Sequence, residues 1–384
     1  MRYFYFTLLV IFVSCKNNDS QTNSDFTDFF SLEKISVKSF PLDSVTSPLK
    51  GRISFFQENN GKQYLLLLNL FKNKLIWYDY DSSKVIHTTN FEREGTNGVG
   101  NITGFYIKST DSIFVHNYGT GTLYLCNRIG KVINNYKLIT ESSIKYPNLA
   151  EFFSAGYYND TLILNTWGAE HFYNTSVAYK KDLLTILSLK NKNISYDLSY
   201  PKIYQKAVWG AQLHLMFNSY NPQKKDILSS FVIDDTLSIL NIHTKELKRK
   251  YAGASFIKSV RPFSEKNYLS FIPEIEDEVK HQLTQNTYGP IYTDPFSGFS
   301  YRFINQALTL EEYKLKEPQR NLSPFLSIVI LDNNYKKVGE VKDLHYSYLA
   351  SKVFFTKQGM HILKLDSLEN KMTFHIFKLK KHEK

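Results

Sequence analysis

The feature that most constrains the fold is a strand–turn–strand unit that recurs six times along the 384-residue chain. In each unit an alternating apolar strand runs into a polar turn, often with a lysine, and a second strand follows. Such alternation around Asn, Asp, Ser or Gly predicts an antiparallel hairpin. The units lie at residues 74–86, 123–133, 184–196, 237–247, 327–338 and 361–372. Their spacing of mostly about 35–60 residues suits the blades of a β-propeller, each with four strands.

Further strand pairs supply the inner strands of such blades, at residues 52–70, 102–118 and 152–166. The last hairpin region has only three clear strands, and the orphan strand at 34–40 can complete it, which removes open sheet edges. We therefore predict an all-β fold: a six-bladed β-propeller of four-stranded antiparallel blades, closed by an N-terminal strand, in a single domain over residues 31–384. A pair of β-sandwich domains is the alternative, but no Pro-, Gly- and Ser-rich linker divides the chain.

The regular spacing fails between Pro273 and Pro324, and we predict an irregular insertion at 273–324 with short helices at 274–281 and 310–316. Long loops on a rigid scaffold are where binding residues usually lie. Tyr301 and Arg302 are therefore the first candidates for ligand binding, because an aromatic face and a guanidinium suit sugars and carboxylates. The competing interpretation places both residues in a strand, with the ring in the core and the guanidinium on backbone carbonyls.

Weaker candidates lie in the same insertion and near the predicted ends of inner strands. A histidine beside a carboxylate can do acid–base chemistry. The additional binding candidates are Tyr292, Asp294, Arg261, Trp209, His214, Glu170 and His171. Each of them also has a structural interpretation, as a hydrogen-bonded polar residue or a core residue.

The N-terminus predicts export and a lipid anchor. Arg2 precedes a short apolar run, residues 8–13, which is too short to span a bilayer as a helix. Cys15 follows a small residue, and this arrangement resembles a bacterial lipoprotein lipobox, in which the signal is cut before the cysteine and the thiol is lipidated. We predict a signal peptide at 1–14, a flexible polar tether at 15–30, and a lipid anchor in a bacterial membrane, with the outer membrane expected. An uncleaved anchor helix is the alternative.

The net charge of +11 is compatible with nucleic-acid binding, but an exported chain would seldom meet nucleic acid. The basic clusters at 248–250 and 378–384 also lack the interleaved aromatic residues of a base-stacking surface. A solvated basic face, or attraction to an anionic lipid or polysaccharide surface, accounts for them. With Cys15 lipidated, Cys126 has no disulfide partner, and its place in a strand predicts a buried, unreactive thiol.

The sequence contains no motif for catalysis, a cofactor or a metal. There is no Gly-x-Ser-x-Gly elbow, His-Glu-x-x-His, Cys-x-x-Cys or Walker loop. The glycine-rich segment at 95–100 lacks the lysine and helix of a phosphate cradle, and residues 79–90 lack the Gly and Glu of a calcium loop. We predict no cofactor, no metal and a monomer. The leading function is a non-catalytic module that binds a glycan, a peptide or an envelope protein, and an envelope lyase or hydrolase acting on polysaccharide or peptide is the alternative.

Residues 94–100 lead into the hairpin at 111–115, and residues 292–303 run from Tyr-Thr-Asp-Pro to Tyr-Arg-Phe. Together with the lipobox, these segments resemble an uncharacterised family of exported six-bladed β-propeller lipoproteins of Bacteroidota type. That family is a domain of unknown function, so the resemblance implies an architecture and a location and transfers no catalytic residue.

Four triplets of Asp, Ser or Thr and an aliphatic residue resemble the acceptors of O-glycosylation in exported proteins of such bacteria. They lie at residues 43–45, 111–113, 160–162 and 235–237. The alternative is that these residues simply favour turns.

Overall fold

The computed structural model describes residues 29–139, 145–149, 156–167, 180, 182–317, 324–365 and 370–382. The described residues form 25 β-strands and two α-helices, numbered β1–β25 and α1–α2 in chain order. The predicted signal peptide, and the predicted tether up to residue 28, lie outside the described residues. Within the described ranges, no helix is long and apolar enough to cross a membrane.

The chain begins with β1 (Phe30–Pro41), which pairs with the last strands, and continues into antiparallel sheets whose strands follow chain order. Sheet 1 consists of β2 (Arg52–Gln57), β3 (Gln63–Asn69), β4 (Lys74–Asp79) and β5 (Val85–Asn90). Sheet 2 consists of β6 (Gly104–Ser109), β7 (Ser112–Asn117), β8 (Thr122–Cys126) and β9 (Val132–Lys137). The predicted hairpins at 74–86 and 123–133 are thereby confirmed.

Sheet 3 differs from the others because two short strands pair with its first long strand. It consists of β10 (Tyr146–Asn148), β11 (Gly156–Tyr158), β12 (Thr161–Trp167), β13 (Leu184–Ser188) and β14 (Ile194–Asp197), with β10 and β11 both paired to β12. Sheet 4 returns to four strands in chain order. It consists of β15 (Met216–Asn221), β16 (Asp226–Phe231), β17 (Thr236–Asn241) and β18 (Leu247–Tyr251).

The remaining strands form one eight-stranded sheet in the order β19-β20-β21-β22-β1-β25-β24-β23. One half, called sheet 5, consists of β19 (Thr287–Thr293), β20 (Ser300–Asn305), β21 (Leu326–Leu331) and β22 (Lys337–Leu344). The other half, called sheet 6, consists of β23 (Tyr348–Thr356), β24 (Gly359–Lys364), β25 (Lys371–Lys381) and β1. The two halves are joined by a single parallel bridge between Phe30 and Gly339.

Strand β1 completes the last group of strands, as the sequence predicts for the segment 34–40. It runs antiparallel to β25 from the pair of Phe30 with Lys381 to the pair of Pro41 with Lys371. Near its end the side chain of Phe40 is fully buried, and its ring lies edge-on to those of Tyr78 in sheet 1 and Phe374 in β25. The N-terminal strand is therefore part of both the hydrogen-bonded sheet and the core.

The described residues form six hydrophobic clusters, each between two successive groups of strands. The clusters lie between sheets 1 and 2, 2 and 3, 3 and 4, 4 and 5, 5 and 6, and 6 and 1. In β3, Leu66 and Leu68 pack towards sheet 2, whereas Leu65 and Leu67 pack towards sheet 6. Successive residues of a strand point to opposite faces, so a strand buried on both faces reads as a continuous apolar run. The sheets therefore pack face to face in a cyclic order.

The two predicted helices are present. Helix α1 spans Ile275–Leu283 and α2 spans Leu310–Lys316. Helix α2 begins with a capping box, in which the Thr309 hydroxyl accepts from the Glu312 backbone N–H and the Glu312 carboxylate accepts from the Thr309 backbone N–H.

The prediction of an irregular insertion over 273–324 is wrong for the middle of that segment. Strands β19 and β20 lie there and form a regular antiparallel hairpin of sheet 5. Gly289 and Pro290 conceal the strand in the sequence, because both are unfavourable inside a sheet. The structure accommodates them with a shift of register between Tyr288 and Ile291, which is how sheets usually absorb such residues.

Candidate functional site

Arg302, the first binding candidate, is fully buried on β20. Its guanidinium lies 3.9 Å from the centre of the Tyr288 ring. Burial lowers the pKa of Arg302 to about 10, so the group remains charged at neutral pH. The arrangement matches the structural interpretation of this residue: the guanidinium joins sheet 5 to sheet 4. Its N–H groups donate to Ser230 Oγ at 2.9 Å and to the backbone oxygens of Ala252 at 3.1 Å, Phe231 at 3.1 Å and Asp234 at 2.6 Å.

The other candidates in this segment lie close to Arg302 but also have structural partners. Tyr301 is 3% exposed and stacks on Phe355 of sheet 6. The Tyr292 hydroxyl donates to the backbone oxygen of Ala350 at 2.7 Å. Asp294 accepts from the backbone N–H of Phe296 at 2.9 Å in the turn that follows β19. Each of these three side chains is therefore engaged by another part of the fold.

Trp209 and His214 are brought together by the buried ring of Tyr204, whose centre lies 6.0 Å and 4.9 Å from theirs. His214 Nδ1 is 2.8 Å from the backbone oxygen of Gly210. Arg261 is exposed and lies apart from this group, where its backbone oxygen is 3.0 Å from His281 Nε2. Residues 170 and 171, the predicted Glu–His pair, lie outside the described residues.

The first strands of the sheets define two ends of the molecule. At the loop end, β2, β6, β15, β19 and β23 begin and the long connections with α1 and α2 lie. At the turn end lie the short turns at 222–225, 242–246, 294–299 and 332–336. Gln223 Nε2 donates to the Pro295 backbone oxygen at 2.9 Å, which shows that the turns of sheets 4 and 5 are neighbours.

A group of residues that the sequence analysis missed lies at the loop end, where sheets 6, 1, 2 and 3 meet. Lys352 on β23 is fully buried, and its Nζ donates to the Gly51 backbone oxygen at 2.5 Å. Arg52, the first residue of β2, directs its Nε towards the Thr103 backbone oxygen at 3.5 Å. Burial, with a smaller contribution from the positive charge of Arg52, lowers the pKa of Lys352 to about 7.

Thr103 continues this group into sheets 2 and 3. Its Oγ1 lies 3.4 Å from Nδ1 of His116 and accepts from the Tyr118 backbone N–H at 3.3 Å. The Tyr118 ring in turn lies 5.8 Å from that of Tyr146, centre to centre. We call Lys352, Arg52, Thr103, His116, Tyr118 and Tyr146 the loop-end cluster.

His116 is a buried member of the cluster whose second nitrogen lacks a partner. Burial lowers its pKa to about 4, so the imidazole is neutral at physiological pH. Among the described residues, none lies within hydrogen-bonding distance of its Nε2. A buried polar atom without a hydrogen bond lowers the free energy of unfolding. The position of this nitrogen therefore calls for an explanation other than stability.

The chemistry available to the cluster is recognition of an anion beside a flat apolar surface. Arg52 and the protonated form of Lys352 create a positive potential at one point of the loop end. Tyr118 is half-buried and Tyr146 is 37% exposed, so both rings are open to contact. Within the described ranges, no group of three or more His, Cys, Asp or Glu side chains could hold a metal ion.

A buried carboxylate lies elsewhere at the loop end, on α1. Glu278 is 2% exposed and its Oε2 accepts from the Ala211 backbone N–H at 2.8 Å. Gly210 lies directly against it in a left-handed conformation, and an added Cβ would be 2.9 Å from Oε1. The contact is one that only glycine allows, and it fixes α1 on the segment that carries His214.

The loop-end cluster could not be predicted from the sequence, because a lysine is an ordinary polar residue of an alternating strand. Lys352 stands in the run Ala350 to Phe355, where an ordinary two-residue period would place a polar side chain in solvent. All residues from 352 to 356 are buried, because sheet 6 is packed on both faces, and this packing is visible only in the structure.

A family model described as a domain of unknown function, DUF4221, matches residues 28–342. The chain belongs to the DUF4221 family. The resemblance stated from the sequence is thereby confirmed as far as a family of unknown function is concerned. No curated protein matches the chain.

Two solved structures extend the comparison of this DUF4221 chain. A member of the same family from Bacteroides vulgatus superposes with a TM-score of 0.79 at 20% identity, covering 92% of this chain and 99% of that one. A protein from Bacteroides fragilis described as exported superposes with a TM-score of 0.52 at 10% identity, covering 94% and 98%. At these identities the likeness concerns the fold.

Proposed function

We propose that this DUF4221 chain is a lipid-anchored, non-catalytic binding protein of the bacterial cell envelope, and that it binds an acidic glycan at the loop-end cluster. The observation that carries the proposal is the proximity of Lys352 and Arg52, two cations from different sheets that meet at the loop end. Guanidinium groups bind carboxylates through charge-assisted hydrogen bonds. The neighbouring rings of Tyr118 and Tyr146 offer the flat apolar faces on which a sugar can lie.

The proposed architecture is a six-bladed β-propeller formed as a single domain over residues 31–384. It is supported by the cyclic order of the six hydrophobic clusters. Contacts between first strands also follow this cycle, as in the hydrogen bond from Lys352 in sheet 6 to Gly51 before sheet 1. Ligands commonly bind where the inner strands of such a fold converge.

The proposed anchor is a lipid on Cys15, and the proposed place is the outer membrane, facing the periplasm or the cell surface. Support comes from the apolar run and cysteine of the N-terminus. The description of the Bacteroides fragilis neighbour as exported agrees with this location.

Binding is favoured over the alternative, an envelope lyase or hydrolase, by the burial of the titratable groups. A lysine with a pKa of about 7 can act as a general base. Yet Lys352 is fully buried, and a base must reach the proton it removes. Arg52 is partly exposed and can touch a ligand, while Lys352 contributes charge from behind it.

The test uses tri-galacturonate as the acidic glycan and maltotriose as a neutral control, with binding measured by isothermal titration calorimetry. Arg52→Gln is expected to weaken tri-galacturonate binding about tenfold or more, because a hydrogen bond to a charged group contributes about 1.5–3 kcal/mol. Arg261→Gln is the matched control, since Arg261 is an exposed arginine elsewhere at the loop end. Equal affinity of both variants would contradict the site, and binding of tri-glutamate in preference to tri-galacturonate would replace the glycan with a peptide.

A further inference from the structure

A basic groove lies at the turn end, between sheets 4 and 5 and far from the loop-end cluster. Its volume is about 590 Å³. The charged and hydrogen-bonding side chains that the argument uses are Lys224, Lys248, Lys250, Asp226, Glu246, Asn241 and Tyr335. All three lysines are exposed, and so is Glu246, which lies 3.0 Å from Lys248 Nζ. The groove therefore presents three ammonium groups and one carboxylate to solvent.

The single buried carboxylate of the groove is engaged by its neighbours. Asp226 accepts from Asn241 Nδ2 at 2.8 Å and from the Tyr335 hydroxyl at 2.8 Å. Asn221 Nδ2 donates to the same hydroxyl at 3.0 Å. Burial, together with the hydrogen bond to Asp226, raises the pKa of Tyr335, so the phenol stays protonated and donates. The floor of the groove is thus a fixed network, and the lysines form its rim.

The groove lies beside the point where the described chain begins. The backbone N–H of Phe29 donates to the Val338 oxygen at 3.0 Å, and Phe30 bridges to Gly339. Both partners follow closely after Tyr335, which lines the groove. The exposed lysines Lys378, Lys380 and Lys381 lie at the same end of β25, where Lys381 pairs with Phe30. The turn end therefore combines the start of the described chain with a concentration of positive charge.

The loop end has a different charge pattern. Exposed acidic residues lie on its two helices, Glu276 and Asp277 on α1 and Glu311 on α2, together with the exposed Lys280 and Lys314 in their last turns. An anionic surface would repel these carboxylates and attract the turn end. The loop end thus carries exposed charges of both signs, whereas the lysines of the groove and of β25 are concentrated at the turn end.

We propose that the turn end docks on an anionic phospholipid surface, with Lys224, Lys248 and Lys250 meeting the lipid phosphates. The inference rests on the lipid anchor of the proposed function. Only 14 residue steps separate Cys15 from Phe29, so their contour length keeps the turn end within at most roughly 50 Å of the anchor. Basic residues near an anionic leaflet are attracted within about one Debye length, roughly 8 Å at physiological salt. Docking in this way turns the loop-end cluster away from the membrane.

The test is lysine footprinting of the intact lipidated protein in vesicles. A water-soluble amine-acetylating reagent is applied in phosphatidylcholine vesicles and in vesicles with one quarter phosphatidylglycerol, and each lysine is quantified by mass spectrometry. The groove lysines are expected to react at least about threefold more slowly in the anionic vesicles, because phosphate contacts occupy them. The exposed loop-end lysines Lys258, Lys266 and Lys280 are internal controls and should be unchanged.

A pair of charge-matched variants provides the second measurement. Lys224→Gln/Lys248→Gln/Lys250→Gln and Lys258→Gln/Lys266→Gln/Lys280→Gln remove the same charge from opposite ends. Only the triple variant of the groove lysines should restore the acetylation rates of Lys378 and Lys380 in anionic vesicles to the rates measured in neutral vesicles. Equal effects of the two variants would mean that net charge alone acts, and would overturn the proposal.

Three further results would also overturn docking. The first is equal reactivity of the groove lysines in both vesicle types, and the second is protection of the loop-end lysines. The third is equal protection of the groove lysines by dissolved inorganic phosphate, which would indicate a site for a free anion. An error in the proposed lipid anchor is detected by a separate measurement, the flotation of the protein with vesicles. A protein without lipid would not float with neutral vesicles, and the same footprint on protein mixed with anionic vesicles would still report docking.

Discussion

Lys352 and Gly51 are joined by a hydrogen bond between residues 301 positions apart, in which the buried ammonium of β23 meets the carbonyl that precedes β2. This contact places a charged group where sheet 6 meets sheet 1. Because the ammonium has lost its water, the folded protein holds its proton less tightly than the unfolded chain does.

The free energy of unfolding should therefore depend on pH through Lys352. Its pKa falls from 10.5 to about 7 on folding, so between these values the unfolded chain binds one more proton than the folded one. Stability then rises with pH across this window, and below pH 7 the penalty, of up to a few kcal/mol, is fully present. Lys352→Met should flatten this slope in urea unfolding between pH 6.5 and 9. An unchanged slope would show that Lys352 titrates normally.

Ligand affinity should show the opposite trend. An anionic ligand at the loop-end cluster favours the protonated form of Lys352, so affinity for tri-galacturonate should fall as pH rises from 6 to 9. Lys352→Met should remove the dependence while Arg52 still supports binding. Calorimetric titrations at four pH values measure the pH dependence of the affinity. A wild-type affinity that is constant with pH would contradict a contribution of the Lys352 charge to ligand binding.

Arg302 should be required for folding rather than for binding. Arg302→Leu would remove the buried guanidinium that donates to the carbonyls of Phe231 and Asp234 in the core, at a cost of about 3–5 kcal/mol. Urea unfolding measures the loss. The control is Arg93→Leu, at an exposed arginine, for which a change within about 0.5 kcal/mol is expected. A native melting temperature for Arg302→Leu would refute this assignment.

Strand β1 should contribute to stability through one face only. Phe40 is fully buried whereas Val37 is 49% exposed. Phe40→Ala should cost about 3–5 kcal/mol, and Val37→Ala much less. Similar melting temperatures for the two variants would mean that β1 is peripheral.

Membrane attachment should depend on Cys15. Cys15→Ser should move the protein out of the membrane fraction while its melting temperature is kept, because acyl burial supplies the attachment. Fractionation with immunodetection reports the first result and thermal unfolding the second. Retention of the variant in the membrane would contradict the lipid anchor.

The hairpins and helices could be predicted from the sequence because their determinants are local. The turn after β4 shows this: Asp79 Oδ1 accepts from the Ser82 backbone N–H at 2.8 Å, as Asp in a turn usually does. Helix α2 spans Leu310–Lys316 as predicted, and Thr309 caps its first turn. Burial of Cys126 is also confirmed; it is fully buried, which raises its pKa to about 12.

The functional residues could not be predicted in the same way, because their environment is created by other sheets. Arg302 has the residue type of a ligand-binding group, yet its partners come from sheet 4 and from the segments that precede β17 and follow β18. Lys352 has the residue type of a surface group, yet sheet 1 covers it. Residue type and period indicate which face a side chain takes, but not which neighbour lies against that face.

The pairing of β1 with β25 has a consequence for the order of folding. Phe40 and Met372 are partners at opposite ends of the described chain, so the cycle of sheets cannot close until the C-terminal strand has been made. Until then the sheet 1 residues that receive Phe40 remain uncovered. Contacts of such long sequence separation form slowly, and closure by β1 should therefore be the last and rate-limiting step in maturation.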